Sequence, residues 1–317
     1  MTSTRLFQSL AMCPPEPRVV TIGTFDGVHR GHQALISAAV ARARYLGIAA
    51  TAVTFEPVPA AVLRPEHFPG RICTVDQKMR LISGQGLDHI ISITFDRSLA
   101  QQTPEEFMTA VAKIGLSELW VGEGFALGKD RAGGIERLRE IGAELGFAVN
   151  VLERKTDGGD LISSSEIRRS ILRGDVSRAY RSLGRPFQIG GEVIHGAHLG
   201  RTIGYPTANV APPRDLVPLA DGIYASLTAL PISSAALPSM TYVGTRPTVN
   251  AGERLIETHI FDFDGDLYGQ SIEVDVLQRL RGDEVFSGLD ALIAQLRSDE
   301  AVARAYLAKA MVGSPMN

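Results

Sequence analysis

The chain has 317 residues, of which 44% are hydrophobic and 21% charged, so it can bury one large core or two and is not a disordered protein. Its 32 basic and 35 acidic residues give a net charge of −3, which excludes a broad basic surface for nucleic acid but leaves a local basic pocket open. The two cysteines, Cys13 and Cys73, form no C-x-x-C pair, zinc set or disulfide framework, so a reducing cytoplasm is expected.

The first half of the chain alternates β-branched segments with helical ones, at the spacing of βα units. Strands are predicted at 18–23, 48–55, 89–94, 118–122 and 147–152. Helices are predicted at 31–46, 76–83, 104–114 and 134–145, the third capped by Thr103 before Pro104. This alternation predicts an α/β fold with a doubly wound, Rossmann-like parallel sheet, whose ligands bind beyond the carboxyl ends of the strands at the switch point in strand order.

The second half has short strand-like segments separated by glycine and proline. Strands are predicted at 187–195, 222–230, 240–244, 255–263 and 271–280, and helices at 289–296 and 300–310. The pattern predicts a small antiparallel β-barrel closed by one or two C-terminal helices. The domain boundary is expected near Gly184, which gives domains at 1–184 and 185–317.

No segment is expected to span a membrane or to act as a signal peptide. Residues 222–245 carry no charge, but Pro231 and Pro238 interrupt short apolar runs, which indicates strands and loops. The apolar run that ends at Met12 is broken by polar residues, as in an ordinary soluble start. No membrane partner and no nucleic-acid partner are therefore expected, and the oligomeric state, including a homo-oligomer, stays open.

The connection between the first predicted strand and the first predicted helix, GTFDGVHRGH at 23–32, is rich in glycine and histidine. His29 and His32 are expected at the helix N-terminus, where free backbone N–H groups and the helix dipole favour phosphate. Gly27 and Gly31 allow the main chain to approach a ligand closely. Two imidazoles at this place can donate hydrogen bonds to a triphosphate as charge develops in a transition state. The segment therefore predicts a nucleotide phosphate site.

This segment resembles the nucleotidyltransferase signature of the bacterial bifunctional riboflavin kinase/FMN adenylyltransferases, also called FAD synthetases. A second segment, ISSSEIR at 162–168, is similar to the I-S-S-T/S-x-I-R motif of that superfamily, at the start of a late helix. The resemblance implies that FMN is adenylylated to FAD, with His29, His32 and Arg168 as catalytic residues. It also implies nucleotide-binding roles for Gly23, Phe25, Asp26, Gly27, Gly31, Ser164 and Ser165.

A third segment, GRTIGYPTAN at 200–209, resembles the G-R-x-L-G-F/Y-P-T-A-N signature of riboflavin kinases. In that family the threonine and asparagine hold Mg²⁺ and nucleotide phosphate, which implies the same roles for Thr207 and Asn209. Hard oxygen ligands of this kind suit a magnesium ion that is shared with phosphates. The implied nucleotide- and flavin-binding residues of this half are Gly200, Arg201, Gly204, Pro206, Thr207, Asn209 and Arg281.

The remaining signatures of the kinase family are similar to YVGTRPT at 242–248 and to ETHIFDFDGDLYG at 257–269. Glu257 aligns with the family's catalytic glutamate, which implies a general base for the ribityl hydroxyl of riboflavin. The segment 277–286, which contains Arg281, matches the region where family members close the flavin site.

Three positions in two segments depart from the family's adenylyltransferase pattern. Val58 stands where the family's F-E/D-P-H-P has histidine, and residues 122–128, GEGFALG, have Gly124 and Leu127 where the family has a polar residue and phenylalanine. Losing one hydrogen-bond donor to a developing charge costs about 10²–10³ in rate. Three hypotheses stay open: an enzyme with both activities that uses riboflavin, FMN, ATP and Mg²⁺, a kinase with a weakened or inactive adenylyltransferase half, and a non-catalytic flavin- or nucleotide-binding regulator.

Overall fold

The computed structural model describes residues 4–153, 155–157, 159–196, 199–233, 235–245 and 254–313. These residues form two compact units that divide between Ser164 and Ser165. The boundary expected near Gly184 lies farther along the chain, and its position stays a prediction. Among the described helices, none is both long enough and apolar enough to cross a membrane.

Six described strands of the first unit form a sheet in the order β1-β4-β3-β2-β5-β6, with every neighbouring pair parallel. From β2 the chain adds β3 and β4 on one side and then β5 and β6 on the other, so the switch point lies at the carboxyl ends of β2 and β5. The predicted doubly wound sheet is confirmed. The strands are β1 Arg5–Phe7, β2 Arg18–Ile22, β3 Ala49–Glu56, β4 His89–Thr94, β5 Leu116–Gly122 and β6 Ala148–Leu152.

Helices cover this sheet, and buried apolar clusters lie against both of its faces. The predicted cap at Thr103 is confirmed, because its hydroxyl accepts from Glu106 N–H while the Glu106 carboxylate accepts from Thr103 N–H. The helix after β2 ends at Gly47 in the left-handed conformation that glycine favours. The elements are α1 Arg30–Leu46, α2 Pro59–Leu63, α3 Val75–Ser83, α4 Pro104–Ala112, α5 Ile135–Leu145 and the hairpin β7 Thr156–Asp157 with β8 Asp160–Leu161.

The second unit is a closed barrel of six described strands in the order β10-β13-β12-β11-β14-β9, with every neighbouring pair antiparallel. This confirms the predicted barrel. Part of its interior is polar, because the buried hydroxyls of Ser226, Thr241 and Thr258 bond one another across three strands at 2.7–3.0 Å. The elements are α6 Ser164–Arg173, α7 Val176–Leu183, β9 Phe187–Ile194, α8 Leu199–Thr202, β10 Ala208–Ala211, β11 Gly222–Ala229, β12 Leu237–Thr245, β13 Arg254–Ile260, β14 Ser271–Arg281 and α9 Leu289–Gly313.

One long helix, α9, covers the outer face of the barrel. Ala303 and Leu307 pack on Ile223 and Met240, which point outward from β11 and β12. The sequence predicts either one or two helices here, with a break between 296 and 300, but the helix is continuous. No glycine or proline lies at the expected break, and Asp299 within it is buried against Arg281.

Candidate active sites

The loop between β2 and α1 lies at the switch point of the sheet and has a strained backbone. Phe25 has φ 50° and Val28 has φ 38°, conformations that cost about 1–3 kcal/mol each for residues with a side chain. Gly27 has φ 76°, and a Cβ there would lie 2.8 Å from the Ile72 side chain, so only glycine fits. Strain of this kind concentrates at ligand-binding turns, which marks the loop as a candidate site.

Asp26 anchors this loop instead of pointing into solvent. Its buried carboxylate accepts from Ile72 N–H at 3.0 and 3.2 Å, and its carbonyl oxygen accepts from Ser164 Oγ at 3.1 Å. The first serine of α6 is thus bonded to the loop. Ser165 and Arg168 follow in the first two turns of the same helix.

His29 and His32 lie together at the start of α1, as predicted. The ring of His29 caps the helix, because its Nδ1 accepts from His32 N–H at 3.3 Å, and the two rings stack with centroids 3.6 Å apart. Burial lowers the pKa of His32 well below 6.5, and the neighbouring His29 and Lys78 lower it further. Because His29 accepts at Nδ1, the neutral ring carries its proton on Nε2. The pair therefore offers uncharged N–H donors at a helix N-terminus.

A buried lysine on α3 joins the loop to the end of β3. Lys78 Nζ donates to the carbonyl oxygens of Thr24 at 3.2 Å and Phe55 at 3.0 Å, and to Thr54 Oγ1 at 3.1 Å. Nζ also lies 2.5 Å from the Glu56 carboxylate. Sequence reasoning missed Lys78, although its position four residues before the buried Ile82 places it on the inward face of a helix.

Arg71 completes this cluster, and its position decides whether Glu56 can take the place of the histidine that is missing at Val58. Its guanidinium lies 2.5 Å from the Glu56 carboxylate, which Lys78 also contacts. Glu56 is therefore already held by two cations and does not replace the histidine missing at the buried Val58. In the other altered segment, the aliphatic Leu127 and the ring of Phe125 both pack against the core.

A cavity of about 670 Å³ opens beside the first turns of α1. Arg30 and Lys155 contribute cations to its wall, Gln33 and Gln85 contribute amides, and none of the described side chains that line it is acidic. A cavity of this size and charge can hold a phosphate-bearing ligand. The cavity lies against the first turns of α1, the helix that His29 caps.

In the second unit, the strand register brings the candidate kinase residues into one row around the barrel. Asn209 pairs with Glu257, Glu257 with Tyr242, Tyr242 with Ile223 and Ile223 with Arg281. Directly opposed residues of antiparallel strands point to the same face, and neighbouring strands lie about 4.8 Å apart. Glu257 is thus flanked by Asn209 on one side and Tyr242 on the other. Sequence reasoning did not single out Tyr242.

Around the segment before β10, the side-chain oxygens of Thr207 and Asn209 lie close to the backbones of Gly200 and Gly196. Tyr205 N–H donates to Gly200 O at 2.8 Å after the short helix α8. A Cβ on Gly200 would lie 3.4 Å from Thr207 Oγ1, and a Cβ on Gly196 would lie 2.7 Å from Asn209 Oδ1. Both oxygens are neutral hard ligands of the type that Mg²⁺ accepts alongside phosphate and water. In the described part of the chain, no three His, Cys, Asp or Glu side chains form a competing metal cluster.

Arg281 ties the end of β14 to α9. Its Nε and Nη2 donate to the Asp299 carboxylate at 2.9 and 2.8 Å, and its Nη1 donates to Gly282 O at 3.0 Å. The guanidinium also lies over the Phe286 ring, 5.5 Å from its centroid. Arg281 thus holds the 282–286 segment in place. Residues 246–248 of the predicted YVGTRPT signature lie outside the described residues.

Comparison with known proteins agrees with this two-part arrangement. A family profile described as FAD synthetase matches residues 13–166, and one described as riboflavin kinase matches residues 183–307. The bifunctional riboflavin kinase/FMN adenylyltransferase of Escherichia coli K12 is 36% identical over 95% of this chain and 96% of its own length. The protein of that name from Pseudomonas fluorescens is 38% identical over 96% of this chain and 98% of its own.

A crystal structure described as a macrolide-efflux protein from Streptococcus pneumoniae has a TM-score of 0.86 and 31% identity, and covers 95% of this chain and 98% of its own. The fold therefore extends over both units of a solved relative. These two curated relatives are 36% and 38% identical to this chain over nearly its whole length, and each of the two family profiles matches one part of it. The chain belongs to the bifunctional riboflavin kinase/FMN adenylyltransferase family.

Proposed function

We propose that the chain makes flavin cofactors in two ATP-dependent steps, phosphorylating riboflavin to FMN and then adenylylating FMN to FAD with release of pyrophosphate. The observation that carries the kinase step is the placement of Glu257 beside Asn209 on adjacent strands of the barrel. The observation that carries the second step is the neutral, stacked His29–His32 pair at the switch point of the parallel sheet.

In the kinase step, Glu257 accepts the proton of the ribityl hydroxyl as that oxygen attacks the γ-phosphorus of ATP and ADP leaves. Thr207 and Asn209 would hold Mg²⁺ through their side-chain oxygens, and the ion would supply positive charge to the ATP phosphates. Arg281 keeps the 282–286 segment against α9 and so shapes one wall of the flavin site.

In the adenylylation step, a phosphate oxygen of FMN attacks the α-phosphorus of ATP and pyrophosphate leaves. FMN phosphate is already a nucleophile at neutral pH, so positioning and charge stabilisation suffice and no covalent enzyme intermediate is needed. His29 and His32 donate N–H groups to the developing charge. The Ser165 hydroxyl and the Arg168 guanidinium take the departing phosphates, while Ser164 holds the loop through its hydrogen bond to Asp26 O.

We place the adenylyltransferase domain at 1–184 and the kinase domain at 185–317, and the protein in the cytoplasm with riboflavin, FMN and ATP as its partners. Val58 and Gly124 support a second candidate, a kinase with a weakened or inactive adenylyltransferase half, because each stands where the family has a polar side chain.

The proposal is tested by measuring each half-reaction separately in single variants of the full chain. Glu257→Gln should lower FMN formation by about 10²–10⁴-fold and leave FAD formation from supplied FMN unchanged. His29→Ala should do the reverse, with a loss of about 10²–10³-fold in FAD formation. The exposed Glu192 on β9 provides a matched control, since Glu192→Gln should change neither rate. Equal loss of both activities in either site variant would contradict the assignment of one reaction to each unit.

A further inference from the structure

His259 connects strand β13 to the segment that carries Thr207. Its Nδ1 lies 2.7 Å from the carbonyl oxygen of Pro206, the residue that directly precedes Thr207. A carbonyl oxygen only accepts hydrogen bonds, so the imidazole nitrogen must be the donor. Both the neutral ring protonated at Nδ1 and the imidazolium carry that N–H, so the bond does not depend on the charge of the ring.

Aromatic and charged groups hold the His259 ring in this orientation. The Tyr205 ring lies 5.1 Å from it at 62°, and the Phe261 ring lies 5.7 Å from it at 66°. Arg304 of α9 stacks over Phe261, 4.3 Å from the centroid, and pairs with Asp262 at 2.8 and 2.9 Å. These ring contacts limit rotation of the imidazole, so its N–H stays directed at Pro206 O in the segment before β10.

The position of His259 along β13 relates the two halves of the proposed kinase site. Glu257 lies two residues earlier on the same strand, so both side chains point to the same face. Asn209 is directly opposite Glu257 on β10. One strand therefore carries both the proposed base and the group that anchors the segment with the proposed Mg²⁺ ligands.

We propose that His259 is a positioning residue of the kinase reaction, which fixes Thr207 relative to Glu257 through its hydrogen bond to Pro206 O. This inference rests on the proposed function of the second unit and assigns His259 no contact with substrate. It requires that the N–H donor, and not only the ring volume, supports binding of Mg·ATP.

Two substitutions in the full chain separate the donor from the ring. His259→Phe keeps an aromatic ring between Tyr205 and Phe261 but removes the donor, whereas His259→Asn keeps an N–H group near the position of Nδ1. His259→Phe should raise the KM for Mg·ATP and the Mg²⁺ concentration for half-maximal kinase activity by about tenfold, the effect of losing one hydrogen bond. His259→Asn should recover most of this loss. FAD formation from supplied FMN should equal that of the unmodified chain in both variants.

The outcomes distinguish failure of the inference from failure of the proposed function. Unchanged KM and Mg²⁺ dependence in His259→Phe would overturn the inference. Equal losses in the two variants, with a lowered melting temperature and no change in KM, would overturn it in favour of a purely structural role. An unmodified chain that binds Mg·ATP but does not phosphorylate riboflavin would overturn the proposed function and the inference with it.

Discussion

Burial keeps the His32 imidazole uncharged at neutral pH, and this has consequences for both catalysis and stability. Two stacked imidazolium rings with centroids 3.6 Å apart would repel each other, and Lys78 adds a further positive charge nearby. A neutral pair avoids this repulsion and still donates N–H groups to phosphate. The same burial means that protonating His32 opposes folding.

The pH dependence of stability follows from the direction of this shift. Folding lowers the pKa of His32 from about 6.5, so the unfolded chain binds the proton more readily than the folded chain. The contribution of His32 is fully present above pH 6.5, and stability falls as the pH drops below that value. His89, whose pKa burial also lowers, adds to the effect.

The pH dependence of stability can be measured for the first unit alone, because Trp120 on β5 is the single tryptophan of the chain. Urea unfolding followed by Trp120 fluorescence should show a lower midpoint at pH 5.5 than at pH 7.5. His32→Gln should reduce that difference, and His67→Gln on the exposed segment after α2 should not. A pH difference that is unchanged in His32→Gln would contradict the assignment.

Sequence reasoning finds residues that belong to a recognisable string and misses those that act from outside one. His29, His32, Thr207, Asn209 and Glu257 all lie in such strings. Lys78 lies in none, and nothing local in its helix signals that three backbone and hydroxyl oxygens surround its ammonium group. That environment exists only because the parallel sheet brings the ends of β2 and β3 side by side.

At the scale of elements, α3 stabilises the loop between β2 and α1 through Lys78. Burial lowers the pKa of this ammonium group, but the Glu56 carboxylate opposes the shift, so the ion pair is part of the fold. Breaking a buried pair by removing one partner costs about 3–5 kcal/mol. Removing Lys78 should therefore weaken the connection between this loop and β3 and lower the stability of the first unit.

Lys78→Met should lower the urea midpoint reported by Trp120 and reduce FAD formation, while FMN formation is retained. Adding Glu56→Gln should lower the stability further, because the buried Arg71 then loses the Glu56 carboxylate as well. Lys113→Met at the exposed end of α4 serves as the matched control and should have no effect. Full stability and full FAD formation in Lys78→Met would show that the cluster does not support the loop.

Elements with clear periodicity are predicted to within a few residues, and those whose identity depends on a partner are not. The strand β10, Ala208–Ala211, begins inside the PTAN signature and is too short to stand out by alternation. It becomes a strand because β9 and β13 pair with it on both sides. The edge strand β1, Arg5–Phe7, likewise depends on β4, which lies far along the chain.

At the scale of the whole molecule, the point of division between the two units decides which fragment folds. The helices α6 and α7 precede Gly184, yet they pack within the second unit: Ala220 N–H donates to Ile171 O at 3.2 Å, and Ser177 Oγ bonds Gln278 at 3.2 Å. Val176 and Leu183 of α7 are buried. Each such side chain contributes about 1.5–3 kcal/mol by its burial.

A fragment of residues 165–317 should therefore melt at a higher temperature than a fragment of residues 185–317, by circular dichroism under identical conditions. The longer fragment should also phosphorylate riboflavin at the rate of the full chain. Equal melting temperatures and equal kinase rates would show instead that α6 and α7 are dispensable for the barrel.

The central claim is that one chain carries out both reactions, and a single time course tests it most directly. The purified full chain is incubated with riboflavin, excess ATP and Mg²⁺, and riboflavin, FMN and FAD are separated by chromatography at intervals. We expect FMN to rise first and FAD to follow as FMN is consumed. FMN that accumulates without FAD would contradict the adenylyltransferase half, and riboflavin that is never consumed would contradict the account as a whole.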